Sequence, residues 1–197
     1  MIVLAFDTAT SVVTAALTRD GEVLDERASR PVSVLEEAEA MLTRARLRPA
    51  DLDALAVGIG PGSFTGIRMA LATARALSLA LGIPVAGVST LAALAAGAPG
   101  ALPVIDAKRS EIFSELDGEP VVLVPADLTV DGRVCVGDGA VRYRALLEDH
   151  GAEIPPDGDE RHAPRARFHA QLAHDFGPAE AVEPLYLRVP DAEKTAA

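Results

Sequence analysis

Residues 2–28 read Ile2-Val3-Leu4-Ala5-Phe6-Asp7-Thr8-Ala9-Thr10-Ser11-Val12-Val13-Thr14-Ala15-Ala16-Leu17-Thr18-Arg19-Asp20-Gly21-Glu22-Val23-Leu24-Asp25-Glu26-Arg27-Ala28, and this stretch decides the fold. Ile2 to Phe6 is a short apolar run that ends on an acid, the pattern of a buried strand. Val12 to Thr18 is a second strand. Arg19-Asp20-Gly21-Glu22 carries an Asp-Gly pair, the strongest short-range hairpin signal, because both central residues of the tight turn need positive φ. Val23 to Ala28 is then a third strand, antiparallel to the second.

Ser33-Val34-Leu35-Glu36 fits a capping box, with Ser at the helix start and Glu reaching back. Val34, Leu35, Ala38, Met41, Leu42 and Ala45 recur at helical spacing, and Pro49 stops that helix. Leu55 to Ile59 is a fourth, wholly apolar strand. It enters Gly60-Pro61-Gly62-Ser63-Phe64-Thr65-Gly66, after which a helix runs to Leu81, with Gly82 as its cap and Pro84 as its stop. That helix is apolar nearly all round, so more than one of its sides must be covered. Pro84 to Val88 is a fifth strand and Leu91 to Ala96 a short helix. The order β-β-β-α-β-α-β-α resembles the ribonuclease-H-like lobe, the unit of the actin, Hsp70 and sugar-kinase superfamily. The expected fold is therefore α/β, with a mixed five-stranded sheet over residues 1–102.

A reduced second lobe is expected over 103–183. Short strands are expected at Pro103–Asp106, Ile112–Leu116, Val121–Val124 and Val134–Val136. Helices are expected at Val141–His150 and Arg165–Phe176, and residues 184–197 form a tail. Gly151 to Pro164, rich in Pro, Asp and Gly, reads as a loop.

The chain has 197 residues and 49% apolar content, enough for a sizeable core. Aromatics are 4%, so Ala, Leu and Val do the packing. A net charge of -11 speaks against a chain that grips nucleic acid alone, since that needs a basic face. The largest basic cluster is Arg44, Arg46 and Arg48. One cysteine, Cys135, excludes a disulfide framework. No signal-type start and no run of membrane-span length are read, and the expected compartment is the cytoplasm.

The loop from Gly60 to Gly66 is neither a Walker loop, a dinucleotide fingerprint nor a nucleophile elbow, because its glycine and serine spacings fit none of them. Two readings stay open. Gly60, Gly62, Ser63, Thr65 and Gly66 can offer backbone N–H groups to an anion at a helix start, or they make a tight turn that lets strand and helix pack closely. Likewise Asp7 and Thr8 at a strand end can hold metal-bound water or phosphate, or form a polar turn. His150, His162, His169 and His174 show no metal-binding spacing and read as surface or internally satisfied residues. Cys135, in an apolar strand, reads as inert core. The loop Asp106-Ala107-Lys108-Arg109-Ser110-Glu111 meets a ligand, meets a partner, or is simply solvated.

Five stretches carry a family resemblance: Leu4 to Thr10, Asp51 to Arg68, Ile83 to Leu91, Asp106 to Phe113 and Pro184 to Arg188. In this order and spacing they resemble the TsaB family, over about the first 115 residues. The resemblance implies an actin/Hsp70-like fold and a paralogue of TsaD, which transfers threonylcarbamoyl to the N6 of adenosine in tRNA. TsaD-like proteins hold a metal through a histidine motif that this chain lacks. The implied role is a non-catalytic scaffold that docks on the TsaD-like subunit through the first two helices, with a TsaE-like ATPase joining the pair. The residues placed there are Val34, Leu35, Ala38, Met41, Leu42, Ile67, Arg68, Leu71, Ala74, Arg75 and Ser78. ATP and Mg belong to the complex, tRNA is met only through it, no membrane is involved, and the lone chain can homodimerise. Family members often carry His-Ser-Glu before the first helix, where this chain has Arg30-Pro31-Val32 and then Ser33. The same residues also allow a catalytic ATPase or kinase of the superfamily, resting on Asp7 and the Gly-rich loop. A peptidase has no nucleophile triad or metal pair to support it.

Overall fold

The computed structural model describes residues 1–29 and 34–188. The first three strands, β1 (Ile2–Asp7), β2 (Val13–Arg19) and β3 (Glu22–Ser29), form the expected antiparallel meander. Asp20 and Gly21 turn the hairpin with φ of 52° and 84°, as the Asp-Gly pair requires. Next come α1 (Val34–Ala45), β4 (Ala54–Gly58), α2 (Phe64–Leu81), β5 (Val85–Val88) and α3 (Thr90–Gly97). β4 pairs with β1, and β5 with β4, both in parallel. The five-stranded sheet runs β3-β2-β1-β4-β5, which is the mixed sheet of an actin/Hsp70-like lobe. The Ser33 capping box lies outside the described residues, as does the chain beyond Arg188.

Both faces of this sheet are covered, which is why β1 and β4 read as apolar runs rather than as alternating strands. Leu4, Phe6, Ala15, Leu17, Leu55 and Val57 point to one face, against Val34, Ala38, Met41 and Leu42 of α1 and Ile67, Ala70, Leu71 and Ala74 of α2. Period two sends Val3, Ala5, Ala16, Ala54 and Ala56 to the other face. That second face is nearly all alanine, so whatever covers it can come close.

After α3 the chain forms β6 (Leu102–Pro103), β7 (Ile105–Lys108), β8 (Glu111–Leu116), β9 (Glu119–Leu123), β10 (Cys135–Val136), α4 (Asp138–Arg142), α5 (Arg144–Asp149) and α6 (Ala166–Leu172). The strand expected over 103–106 is divided. β6 pairs with β10 in parallel, whereas β7 joins β8 and β9 in an antiparallel sheet. The helix expected over 141–150 is likewise two helices, starting earlier at Asp138.

The largest departure is α6, expected as part of the second lobe. It lies on the alanine face of the first sheet, where Ala166, Ala170, Ala173 and Phe176 pack against Val3, Ala5, Ala16, Ala54 and Ala56. Polar anchors fix it. Thr14 Oγ1 donates to the Pro164 carbonyl at 2.7 Å, and Glu26 on β3 accepts from Arg165 at 2.6 Å and Arg167 at 2.7 Å. The chain then continues along β5 and the adjoining loop. Val85 bridges to Gly177, and Leu185 N–H donates to the Ile59 carbonyl at 2.8 Å.

α2 also departs from expectation in one respect. With 18 residues and a mean hydropathy of 1.2, it is long and apolar enough to span a membrane. Here it carries Arg68 and Arg75 and lays one face on the sheet.

Candidate functional site

Asp7 ends β1 and is fully buried. Its Oδ1 accepts the Ala9 N–H at 2.5 Å. Its Oδ2 accepts Thr90 Oγ1–H at 2.7 Å and His169 Nε2–H at 2.8 Å. His169 is equally buried and reaches across from α6, with Nδ1 3.4 Å from the Arg165 carbonyl. Burial alone raises the carboxyl, but the His169 hydrogen bond and charge, with the Ala9 and Thr90 donors, outweigh it and hold Asp7 below its ordinary value. Both oxygens are thus committed inside the protein. An acid that is to hold metal-bound water needs an oxygen facing solvent, so Asp7 does not fit that role. Among the described residues no cluster of His, Cys, Asp and Glu is arranged to hold a metal ion.

The Gly60–Gly66 loop packs on the chain just after Asp7. Ser63 N–H donates to the Ala9 carbonyl at 2.6 Å, and Thr8 Oγ1 donates to the Gly66 carbonyl at 2.6 Å. A methyl group on Gly62 or Gly66 would collide with the backbone of Ala9 or Thr8. Those two glycines therefore serve close packing, as one of the two sequence readings had it. Ser63 caps α2 by accepting the Gly66 N–H at 3.3 Å, a contact of about 0.5–2 kcal/mol. Gly82 ends the helix at φ 69°.

A cleft of about 610 Å³ lies between the Gly60–Gly66 loop and the β7–β8 turn. Thr10, Ser11, Ser63 and Thr65 line one wall, and the β7–β8 turn with Asp106, Lys108 and Arg109 lines the other. Asp7 is not among the lining residues. Asp106 accepts from Lys108 Nζ at 2.6 Å and Asp138 accepts the Asp106 N–H at 3.0 Å, so the two acids brace this turn. Phe64 stacks near Tyr186 at 4.8 Å, with the Arg68 guanidinium 3.7 Å over the Phe64 ring. Arg188 pairs with Glu111 and donates to the Ala107 carbonyl at 3.1 Å, tying the chain end to the turn.

The family model described as "TsaD: tRNA N6-adenosine threonylcarbamoyltransferase" matches residues 10–129. An uncharacterized protein of Mycobacterium tuberculosis (strain H37Rv) is 40% identical over 210 residues, spanning 98% of this chain and 95% of that protein. The tRNA threonylcarbamoyladenosine biosynthesis protein TsaB of Escherichia coli K12 is 39% identical over 123 residues, 57% of this chain and 53% of that one. The solved structure of YeaZ from Pseudomonas aeruginosa superposes with a TM-score of 0.78 at 26% identity, covering 94% of this chain and 99% of that one. The chain belongs to the TsaB branch of the TsaD family. This places it in threonylcarbamoyladenosine biosynthesis on an actin/Hsp70-like fold.

Seven of the eleven residues that the resemblance placed at a partner interface do not lie on the surface of this TsaB-family chain. Val34, Ala38, Met41, Leu42, Ile67, Leu71 and Ala74, assigned to a partner interface, are buried in the chain's own core. An apolar stripe marks the face turned inward, and here the chain's own sheet is what it turns to. Leu35, Arg68 and Arg75 are exposed and Ser78 is half-buried. Exposed beside them are Met69 at 52% and Leu79 at 87%, with Ala72, Ala76 and Ala80 on the same helix. Cys135 is buried, and burial pushes its thiol up to about 11, so it is the inert residue the sequence suggested. His162 is satisfied by the Gly137 N–H and the Pro155 carbonyl, each at 3.1 Å.

Proposed function

We propose that this chain is the non-catalytic scaffold of the machinery that transfers threonylcarbamoyl to the N6 of adenosine in tRNA. It docks on a TsaD-like catalytic paralogue through the outer faces of α1 and α2. The carrying observation is the apolar surface of α2. Leu79 at 87% and Met69 at 52% exposure flank small alanines, so another helix can approach closely without displacing any core residue. On α1, Leu35 is a further exposed apolar side chain, at 52%. A TsaE-like ATPase joins the pair, tRNA is engaged by the complex, and a second copy of the chain can use the same face when the paralogue is absent. The reading places the assembly in the cytoplasm.

The non-catalytic part of the reading rests on Asp7. In a catalytic ATPase or kinase of this fold, a strand-end acid would be open to the cleft, whereas here His169, Thr90 and Ala9 occupy its oxygens. The test is reconstitution. With tRNA, an activated threonylcarbamoyl donor (the mixed anhydride of threonylcarbamate with AMP, which releases AMP on transfer), the TsaE-like ATPase and ATP, the paralogue should form threonylcarbamoyladenosine efficiently only when this chain is present. The purified chain alone should form none and should bind no Mg-ATP by calorimetry. Modification of tRNA or ATP turnover by the chain alone would overturn the scaffold reading and promote the ATPase reading.

A further inference from the structure

The chain carries 29 acidic and 18 basic side chains, yet one corner reverses this balance. A groove of about 440 Å³ runs between the edge strand β3 and the C-terminal end of α1. It is lined by Arg19, Arg27 and Arg44 with a single acid, Asp25, and by Leu24 and Ala45. Register explains the gathering. Arg27 pairs with Ala15 and Asp25 with Leu17, so both stand on the α1 face of the sheet, as does Arg19 two positions after Leu17. Glu26 points to the opposite face, where α6 engages it. Arg44 comes down from the last turn of α1 onto Asp25.

Asp25 neutralises only part of this charge. It accepts from Arg44 Nε at 2.6 Å, while Arg27 Nε stays at 3.8 Å, outside hydrogen-bond reach. Asp20, whose charge Arg19 feels, is paired with the amino terminus. Side chains of Arg27 and Arg44 remain 48% and 44% exposed. Three guanidinium groups line the groove with one carboxylate, and Glu22 stands opposite Arg19 in the strand register, so a single unit of excess positive charge remains at this corner of a chain of net charge -11. Planar guanidinium forks favour oxyanions that accept two parallel N–H bonds, phosphates foremost. Edge-strand arginines also discourage strand-to-strand aggregation, but that role needs charge along the edge, not convergence with a residue of a neighbouring helix.

We propose that this groove takes the phosphate backbone of the tRNA once the chain is docked on its paralogue. The inference rests on the docking reading, since α1 supplies both the docking face and one wall of the groove. Nucleic acid held by the catalytic subunit thus passes along the seam where the groove opens. The acidic remainder of the surface prevents the lone chain from binding RNA and restricts contact to this corner.

The experiment uses the assembled complex and an unmodified tRNA transcript, with affinity measured by fluorescence anisotropy across a salt series. Arg19→Gln with Arg27→Gln leaves the Arg44–Asp25 bond in place. The double variant should assemble normally by size-exclusion chromatography. It should weaken tRNA binding about tenfold and flatten the slope of log affinity against log salt by about two, one per guanidinium. Arg133→Gln with Arg161→Gln removes the same charge from the second lobe and should leave the slope unchanged. Unaltered affinity and slope in the groove variant, or an equal effect in the control, overturns the proposal. Loss of assembly by the groove variant overturns it too, and assigns the groove to a protein partner. Failure of the wild-type chain to assemble is a separate result, and it removes the docking reading as well.

Discussion

Asp7 and His169 are 162 residues apart in sequence and 2.8 Å apart in the structure. Removing His169 strands the buried Asp7 carboxylate without one of its donors, at a cost of about 3–5 kcal/mol. His169→Ala should therefore lower unfolding stability by about that amount, read by urea denaturation at neutral pH. The Asp7 carboxyl is depressed, so its charged form contributes stability that is fully present above the ordinary value and lost as pH falls below it. The gap between wild type and Asp7→Asn should accordingly be wide at neutral pH and shrink progressively as the pH falls below about 4. A gap that stays constant with pH would show that the pair is not ionic. The acid was legible as the last residue of an apolar strand, but its partner was not. No spacing rule links residues so far apart. A weaker signal existed: His169 interrupts the alanine stripe of Ala166, Ala170 and Ala173, and a polar residue on a packing stripe needs a buried partner.

Among elements, α2 was most legible at its end, because its cap Gly82 and its stop Pro84 are written locally, whereas it starts at Phe64, inside the loop from which it was expected to emerge at about Ile67. Its outward role was not legible. The same periodicity that locates an amphipathic helix picks out the face that its own domain consumes, so Ile67, Leu71 and Ala74 pointed inward. Docking capacity lies in the residues left over, and exposure can be read only once the sheet is in place. Leu79→Asp should abolish co-purification with the TsaD-like paralogue while shifting the melting temperature little, since the side chain is 87% exposed and buries almost nothing in the lone chain. Met41→Ala should do the reverse. Met41 is wholly buried between α1 and the sheet, and its truncation should cost about 2–5 kcal/mol without touching the docking face. Comparable loss of binding from both substitutions, at equal stability, would contradict the division between inner and outer faces.

For the whole molecule, the five-stranded sheet was visible in the order of strands and helices, whereas the return of the chain to that sheet was not. Strand order is a local property, but which sheet a late helix covers depends on surface complementarity between distant segments. Val3, Ala5, Ala16, Ala54 and Ala56 are buried against Ala166, Ala170, Ala173 and Phe176, from α6 and the chain just after it. A fragment of residues 1–102 should consequently lack a cooperative thermal transition and bind a hydrophobic dye, and adding a peptide spanning residues 164–188 should restore order. A sharp transition in the fragment alone would mean that the first lobe is self-sufficient. The return of α6 also sets a timetable for biosynthesis. The strands it covers leave the ribosome first, and about a hundred further residues must follow before their cover arrives. At bacterial elongation speeds of about 5–20 residues per second, that sheet face waits on the order of 5–20 s. For that interval the nascent chain presents a half-clad sheet, so its yield in the cell depends on chaperone capture during synthesis as well as on the stability of the finished protein.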